Sequence, residues 1–192
     1  EISQLSFMKI LLLQDNAFTG TMENLFNATI QLSLQSVALS NNQLTGVLPG
    51  ELFKLPQLAS FVAVSNCLHG TLPATELCLA NSLVSLVLDG LSSATSCRNN
   101  MLPGISHSYT IYNAVSGKIP SCLFQLANLT TLHLSGNGFT GAMEESMRIG
   151  DSLIDLSLSH NKLIGEIPTT IQQRQWHNLD LSYNRIGGDL RS

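Results

Sequence analysis

Charged residues are scarce in this chain of 192 residues. Asp, Glu, Lys and Arg together make up 11% of the sequence, and the net charge is only -4. A surface that binds nucleic acid or an anionic membrane carries an excess of Lys and Arg, so neither partner is predicted. Long apolar runs are also missing, since none approaches the ~20 residues that a membrane-spanning helix needs. The 44% of hydrophobic residues is nevertheless enough for a packed core.

Patterns that carry chemistry are equally scarce. The four cysteines form no C-x-x-C pair, so a zinc site is not predicted. His133 and His160 fall on or near the predicted sheet, but they are roughly 10 Å apart along the strand direction, too far for one metal. No Cys or carboxylate completes a ligand set. The G-x-G-x-x-G match at 136–141 lacks the helix and the acidic residue of a dinucleotide site. No nucleophile elbow occurs either. The sequence therefore predicts no catalytic residue, no cofactor and no metal.

What the sequence does contain is one pattern that recurs along its whole length, L-x-x-L-x-L-x-x-N-x-L-x-G. It is clearest at 129–141 and 153–165. Seven copies carry the Asn, and Leu91 takes its place in an eighth. The seven are Asn16, Asn42, Asn66, Asn113, Asn137, Asn161 and Asn184. Consecutive copies are 22 to 26 residues apart. Such a period predicts that residues 1–192 form a single solenoid of about eight repeats.

This pattern resembles the leucine-rich repeat family. The extension G-x-[IL]-P, present at 46–49, 70–73, 117–120 and 165–168, resembles the plant-type subclass. The resemblance implies an α/β repeat, a curved right-handed solenoid with a concave parallel sheet of about eight short strands and convex 3₁₀ or irregular segments. Strand centres are expected near residues 12, 38, 62, 87, 110, 133, 157 and 180. Plant-type relatives usually carry Cys-rich caps. Neither end shows one, so a segment of a longer protein lacking both caps is expected.

Each repeat residue has an expected structural role. The L-x-L segment alternates inward and outward side chains, as in a strand, with Leu132 and Leu134 pointing inward. The Asn offers both a donor and an acceptor to buried turn backbone, so the stacked Asn side chains are predicted to form an internal ladder. Leu91 interrupts that ladder. Leu91→Asn is therefore expected to do no harm, and to repair the ladder if the local turn is otherwise regular.

The fifth predicted strand has two alternative registers. In the favoured one, Asn113 keeps its spacing, and Tyr109, Ile111 and Tyr112 point outward. A slip by one residue would reverse the faces and bury Tyr109 and Ile111. The favoured register makes these aromatic residues part of the concave face.

Cysteines and sequons indicate a secreted protein. The expected disulfide is Cys78–Cys97, with Cys97–Cys122 as the alternative, and Cys67 is the candidate for a free thiol. Two sequons, at Asn27 and Asn128, map to the segments between strands and are candidate glycosylation sites. Together they favour an extracellular or cell-surface location.

Outward strand residues are not constrained by the repeat, so they are the candidates for partner binding. The N-terminal half offers apolar residues such as Leu12, Val62, Val64 and Val87. The predicted binding residues are Tyr109, Ile111, Tyr112, His133, Ser157, His160, Asp180 and Tyr183. Asp155 and Asp180 are expected to form a small acidic spot.

The repeat class favours a recognition module, not an enzyme, with a protein, peptide or glycan as its partner. The resemblance extends to ectodomains of receptor-like proteins and kinases and to polygalacturonase-inhibiting proteins. The alternative is a structural or adhesive segment of a larger extracellular assembly. Ice binding needs a repetitive exposed row. The exposed row four residues before each Asn position is not repetitive, so ice binding is not predicted on this face.

Overall fold

The computed structural model describes residues 1–94 and 115–190, which form a solenoid of short parallel strands. Seven strands build the long sheet: β1 (Ile10–Leu12), β3 (Ser36–Ala38), β5 (Ser60–Val62), β7 (Ser85–Val87), β9 (Thr131–His133), β11 (Asp155–Ser157) and β13 (Asn178–Asp180). A second sheet contains β6 (Gly70–Thr71), β8 (Val115–Lys118), β10 (Gly138–Ala142), β12 (Lys162–Glu166) and β14 (Arg185–Gly187). A third pairs β2 (Thr19–Thr21) with β4 (Gln43–Thr45).

The segments that return to the next strand are short, and four of the six in the described residues contain one short helix. Three are single α-helical turns, α1 (Gly50–Phe53), α2 (Ala74–Leu77) and α3 (Thr169–Gln172). Residues Ile2–Gln4 and Ser121–Gln125 are 3₁₀ helices. Each α-helix follows a Pro, whose fixed φ suits a helix start and whose missing N–H costs nothing there. None of the helices in the described residues is long and apolar enough to cross a membrane.

The leucines of the repeat fill the core between the sheets and the return segments. Leu86, Leu132 and Leu156 lie side by side on β7, β9 and β11 and are fully buried, as are Leu134 and Leu158. A turn alone has nothing to cover these side chains, so each turn buries them against its neighbours. The predicted inward frame of the L-x-L segment is confirmed.

The predicted strand count was wrong by one, because β7 pairs directly with β9. Their register places Ser85 opposite Thr131 and Val87 opposite His133. No strand centred near residue 110 can therefore lie between them. In the second sheet, β8 pairs with β6 on one side and β10 on the other. Residues 85–94 and 115–118 thus belong to one turn. The two predicted irregular repeats are a single fourth turn, whose chain is longer than that of the others.

Several predicted residues fall in the part of this turn that the structure leaves out. Tyr109, Ile111, Tyr112, Asn113 and Cys97 lie outside the described residues. The two registers considered for residues 108–112 therefore remain predictions.

The repeat asparagines bond to backbone groups of two adjacent turns. Asn66 is fully buried, and its Nδ2 donates to the carbonyls of Leu39 in the preceding turn and Ala63 in its own. Its Oδ1 accepts from Leu44 N–H at 3.2 Å. The same arrangement recurs at Asn42, Asn137, Asn161 and Asn184. Asn16 is exposed, and both of its bonds to carbonyls stay within its own turn.

The fourth turn continues this network with backbone in place of an asparagine. By the pattern of the other turns, Leu68 N–H should donate to a side-chain amide, but it donates to the backbone carbonyl of Leu91 at 2.8 Å. Leu91 N–H in turn donates to Asn137 Oδ1 at 3.1 Å. The Leu91 side chain is fully buried in the core. The Asn position of this turn is therefore already satisfied without an amide.

This geometry reverses the expectation for Leu91→Asn. The variant removes a buried leucine side chain and adds a polar group where the backbone needs none. We expect it to lower the free energy of unfolding by about 2 kcal/mol. Denaturant titration followed by circular dichroism measures the change, and a variant as stable as the wild type would contradict the account of the fourth turn.

The disulfide predicted between Cys78 and Cys97 was wrong, because Cys78 pairs with Cys122. Cys78 directly follows α2, and Cys122 lies in the equivalent return segment of the next turn, with 5.4 Å between the two Cα atoms. This spacing suits a disulfide. An extra repeat between them would have placed the two segments a further strand spacing of ~4.8 Å apart. Cys67 is also disulfide-bonded, so it is not a free thiol.

Candidate functional site

The solvent side of the long sheet, here called the concave face, is formed by the outward residues of its seven strands and of the turns that follow them. Because the turns stack in register, equivalent residues form rows that run across the strands. Neighbouring residues in a row are about 4.8 Å apart. The face changes character along the solenoid: the first four strands present apolar and hydroxyl side chains outward, and the last three add imidazole, carboxylate and amide groups.

The N-terminal half of the concave face presents small apolar and hydroxyl side chains. Ile10 and Leu12 on β1 are 60% and 58% exposed. Two rows continue from them, Ser36, Ser60 and Ser85 in one and Ala38, Val62 and Val87 in the other. These side chains are half-buried by their neighbours. Their small size leaves an open floor without a charged group on the strands themselves, and the charged groups of Asp15 and Asp89 lie in the turns that follow β1 and β7.

The C-terminal half is built around His133 on β9. Its Nε2 lies 2.8 Å from Asp155 Oδ1 on β11, and its Nδ1 lies 3.9 Å from Asp89 Oδ2 in the turn after β7. Asn178 Nδ2 on β13 donates to the same Asp155 oxygen at 3.0 Å. Four consecutive turns are thus joined by one line of polar side chains.

A second line of hydroxyl groups runs beside the first. Ser135 Oγ lies 2.7 Å from Ser157 Oγ, and Ser159 Oγ donates to Ser135 Oγ at 3.1 Å. Ser135 N–H also donates to Asp89 Oδ1 at 2.6 Å, which ties the two lines together. Ser157 and Ser159 are buried. They therefore shape the floor of the face more than they offer free hydroxyls to a partner.

The local environment shifts the pKa of three carboxyl groups on this half. Burial raises the pKa of Asp89, against the opposing effect of the Ser135 N–H that bonds to it. Partial burial alone would raise the pKa of Asp155, but hydrogen bonds from His133 and Asn178 outweigh it and lower the pKa. Hydrogen bonds from the hydroxyl and N–H of Ser182 lower the pKa of Asp180. Asp155 and Asp180 are therefore carboxylates at neutral pH.

At the rim of the face, His160 and Tyr183 stack with ring centroids 4.1 Å apart. Each residue directly precedes an Asn of the repeat and has a positive φ of 52°. This left-handed conformation turns the side chain out of the strand row. Tyr183 is 74% exposed. The pair offers a flat aromatic surface beside the carboxylate of Asp180.

The structure thus brings together five of the eight predicted binding residues. His133, Ser157 and Asp180 lie on the concave face and His160 and Tyr183 at its rim, while the other three lie outside the described residues. Prediction of the site missed Asp89, Ser135, Ser159 and Asn178, and named Asp155 only as part of an acidic spot. These residues continue the period-two alternation of each strand by one step before or after its centre. That alternation was the signal in the sequence that could have found them.

The two sequons lie on return segments, away from the concave face. Asn27 Oδ1 accepts from Thr29 N–H at 3.0 Å and from Thr29 Oγ1 at 2.7 Å. Asn128 is exposed, and its Nδ2 donates to the Asn81 carbonyl at 2.7 Å. A glycan on either residue would leave the concave face accessible. Within residues 1–94 and 115–190, no three His, Cys, Asp or Glu side chains are grouped so as to hold a metal ion.

Comparisons with known proteins identify the repeat. A Leucine Rich Repeat model matches residues 33–55 and 152–173, and a second Leucine Rich repeat model matches residues 125–142. Receptor-like protein 35 of Arabidopsis thaliana is 30% identical over 165 residues, which cover 83% of this chain and 15% of that protein. The chain therefore spans only about a sixth of the length of this curated relative.

Solved structures show the same architecture. The crystal structure of a Pollen Receptor Kinase 3 matches with a TM-score of 0.69 and 31% identity, over 94% of this chain and 76% of that one. The ectodomain of the Arabidopsis receptor kinase HAESA, in complex with an extended IDA peptide hormone ligand, matches with a TM-score of 0.62 and 30% identity, over 95% of this chain and 31% of that one. This chain belongs to the plant-type leucine-rich repeat family.

Proposed function

We propose that this chain is an extracellular recognition module that binds a protein or peptide partner on its concave face. The observation that carries the proposal is the division of that face into a half whose strands present apolar and hydroxyl side chains and a polar half organised around His133. The repeat leaves the outward side chains unconstrained, so their pattern is free to specify a partner. A structurally similar ectodomain, that of HAESA, is known in complex with a peptide hormone.

The form of the face favours an extended partner. The rows of the long sheet run across seven strands, so an extended peptide that follows them meets first apolar and hydroxyl side chains and then charged and amide side chains. The polar half carries Asp89, Asp155 and Asp180, and in the described part of the chain no Lys or Arg pairs with them. A partner with apolar residues at one end and a cationic group at the other would complement both halves.

The extracellular location is supported by the cysteines. The Cys78–Cys122 disulfide and the disulfide-bonded Cys67 are of the kind that persists in an oxidising compartment. The curated relative named above is a receptor-like protein. Both observations favour a location at the cell surface or outside the cell.

The proposal is tested by selecting peptides from a displayed random library against the full chain at neutral pH. We expect Val62→Arg and Val87→Arg to weaken the selected peptides at least tenfold, about 1.4 kcal/mol, because the new side chains cover the apolar floor. Leu32→Arg is the matched control. It makes the same kind of change at a site that is 53% exposed on a return segment.

Binding is measured by titration calorimetry, and thermal melts establish that each variant is folded. Peptides that bind the two concave variants as tightly as the wild type would contradict the proposed surface. Loss of binding in Leu32→Arg alone would place the partner on the return segments.

A further inference from the structure

His133 is held between two carboxylates that belong to different turns. Asp155 lies on the following turn, 2.8 Å from Nε2, and Asp89 lies on the preceding turn, 3.9 Å from Nδ1. Ser135 N–H fixes the other oxygen of Asp89 at 2.6 Å, so this carboxyl group has a defined position beside the imidazole. The three side chains form a bridge across β7, β9 and β11.

Whether His133 and Asp89 attract or repel each other depends on the number of protons that the bridge carries. Asp155 is ionised at neutral pH, so Nε2–H donates to it and a neutral His133 presents the lone pair of Nδ1 to Asp89. Two acceptors then face each other if Asp89 is also ionised. One added proton, on Nδ1 or on the Asp89 carboxyl, replaces this repulsion by attraction. A single proton therefore joins three turns of the solenoid.

Other titratable groups lie near the bridge. His177 interacts with Asp155, and His160 interacts with Asp180. The three carboxylates and three neutral imidazoles carry a formal charge of -3, and protonation of all three imidazoles would bring it to zero. Histidine exchanges its proton between about pH 5 and 8 in ordinary surroundings.

We propose that the Asp89–His133–Asp155 bridge is a proton-controlled switch: proton uptake tightens the junction between the turns of β7, β9 and β11 and makes the concave face less negative. Partner binding on that face then depends on pH, and a cationic partner binds more weakly in acid. This consequence rests on the proposed function. The switch itself does not, and the experiment below uses no partner, so the two fail independently.

The sign of the effect on stability follows from the charges. In the folded state two carboxylates lie beside the imidazole that takes the bridging proton, whereas in the unfolded chain the three groups are apart. The stabilisation is therefore present at the acid end of the range and is lost as pH rises. The raised pKa of Asp89 acts in the same direction. The lowered pKa of Asp155 acts oppositely, but its effect falls near and below the ordinary value of 3.8, outside the range tested.

The test compares thermal unfolding of the wild type and His133→Gln between about pH 5.5 and 8. Glutamine keeps a donor for Asp155 but takes up no proton. We expect the Tm advantage of the wild type over His133→Gln to be greater at the acid end by about 3 °C. His69→Gln is the matched control, because it removes a histidine on the lateral side of the solenoid, where β6 begins at the next residue. Its Tm should follow the wild type at every pH.

A second measurement covers the case in which His133→Gln does not fold. Amide hydrogen exchange of the wild type, corrected for intrinsic rates, should show Leu86, Leu132 and Leu156 more strongly protected in acid than at pH 8. A Tm difference between wild type and His133→Gln that is constant or grows with pH, or amide protection that does not change, would overturn the switch.

Discussion

Replacing Cys78 and Cys122 together by serine is expected to cost about 4 kcal/mol, because their disulfide closes a loop of 44 residues. In the unfolded chain that cross-link lowers the conformational entropy by an amount that grows with the logarithm of the loop length. In the folded chain it joins α2 to the 3₁₀ segment of the next turn. The closed loop contains residues 95–114, so the disulfide joins the third turn to the fourth, whose chain is the longest.

The double variant is preferable to chemical reduction for this measurement. A reducing agent would also break the disulfide of Cys67 and mix two effects. Denaturant titration of Cys78→Ser/Cys122→Ser against the wild type, both without reductant, isolates one cross-link. A loss below about 1 kcal/mol would show that the other contacts of the double variant hold these turns together without the disulfide.

Asn66→Ala is expected to destabilise the protein by about 3 kcal/mol, the upper end of the cost of leaving buried hydrogen-bonding groups unpaired. The side chain is fully buried. Its loss strands the N–H of Leu44 and removes the donor shared by the carbonyls of Leu39, Ala63 and Val64. Asn66 is buried between stacked turns, so bulk solvent does not solvate the groups that its loss leaves unpaired.

Asn16→Ala is the matched control for this variant. The same residue at the same repeat position is exposed in the first turn, and its two bonds are to carbonyls of its own turn. Water replaces those bonds, so we expect a loss of at most about 1 kcal/mol. Equal losses for Asn16→Ala and Asn66→Ala in denaturant melts would show that stacking between turns does not give the asparagine its effect.

The regular turns could be predicted from sequence because each repeat residue has one dominant physical role. Leu132 and Leu134 alternate with His133, and only one frame buries the leucines, so strand, register and outward row follow together. The predicted centres at residues 133, 157 and 180 fall within β9, β11 and β13. The repeat period and the burial of the leucines restrict the register together, so only one strand frame satisfies both.

The fourth turn could not be predicted because its irregular sequence imitates a repeat. Asn113 lies 24 residues before Asn137, a normal spacing, and Gly117 and Pro120 complete the pattern. The structure uses Gly117 and Pro120 but takes its strand from residues 85–87. A backbone carbonyl, that of Leu91, replaces the expected amide. No sequence pattern marks a backbone group that substitutes for a side chain.

The error in strand count carried over into the site and the disulfide. With a strand assumed between them, Asp89 and His133 would be two strands apart, and so would the segments of Cys78 and Cys122. Direct pairing of β7 with β9 brings both pairs into contact. Because one extra repeat was assumed, the contact between Asp89 and His133 was not predicted. His133 and Asp180 were nevertheless already assigned to the face.

The claim that the concave face is the recognition surface is tested most directly by mapping a selected peptide on the full chain by NMR. Amide shifts recorded with and without the peptide should change in a continuous band across the outward rows, from Ser60 and Val62 to His133 and Asp155. Shifts confined to the return segments, around α1 and α2, or to the second sheet, around β10 and β12, would contradict the account.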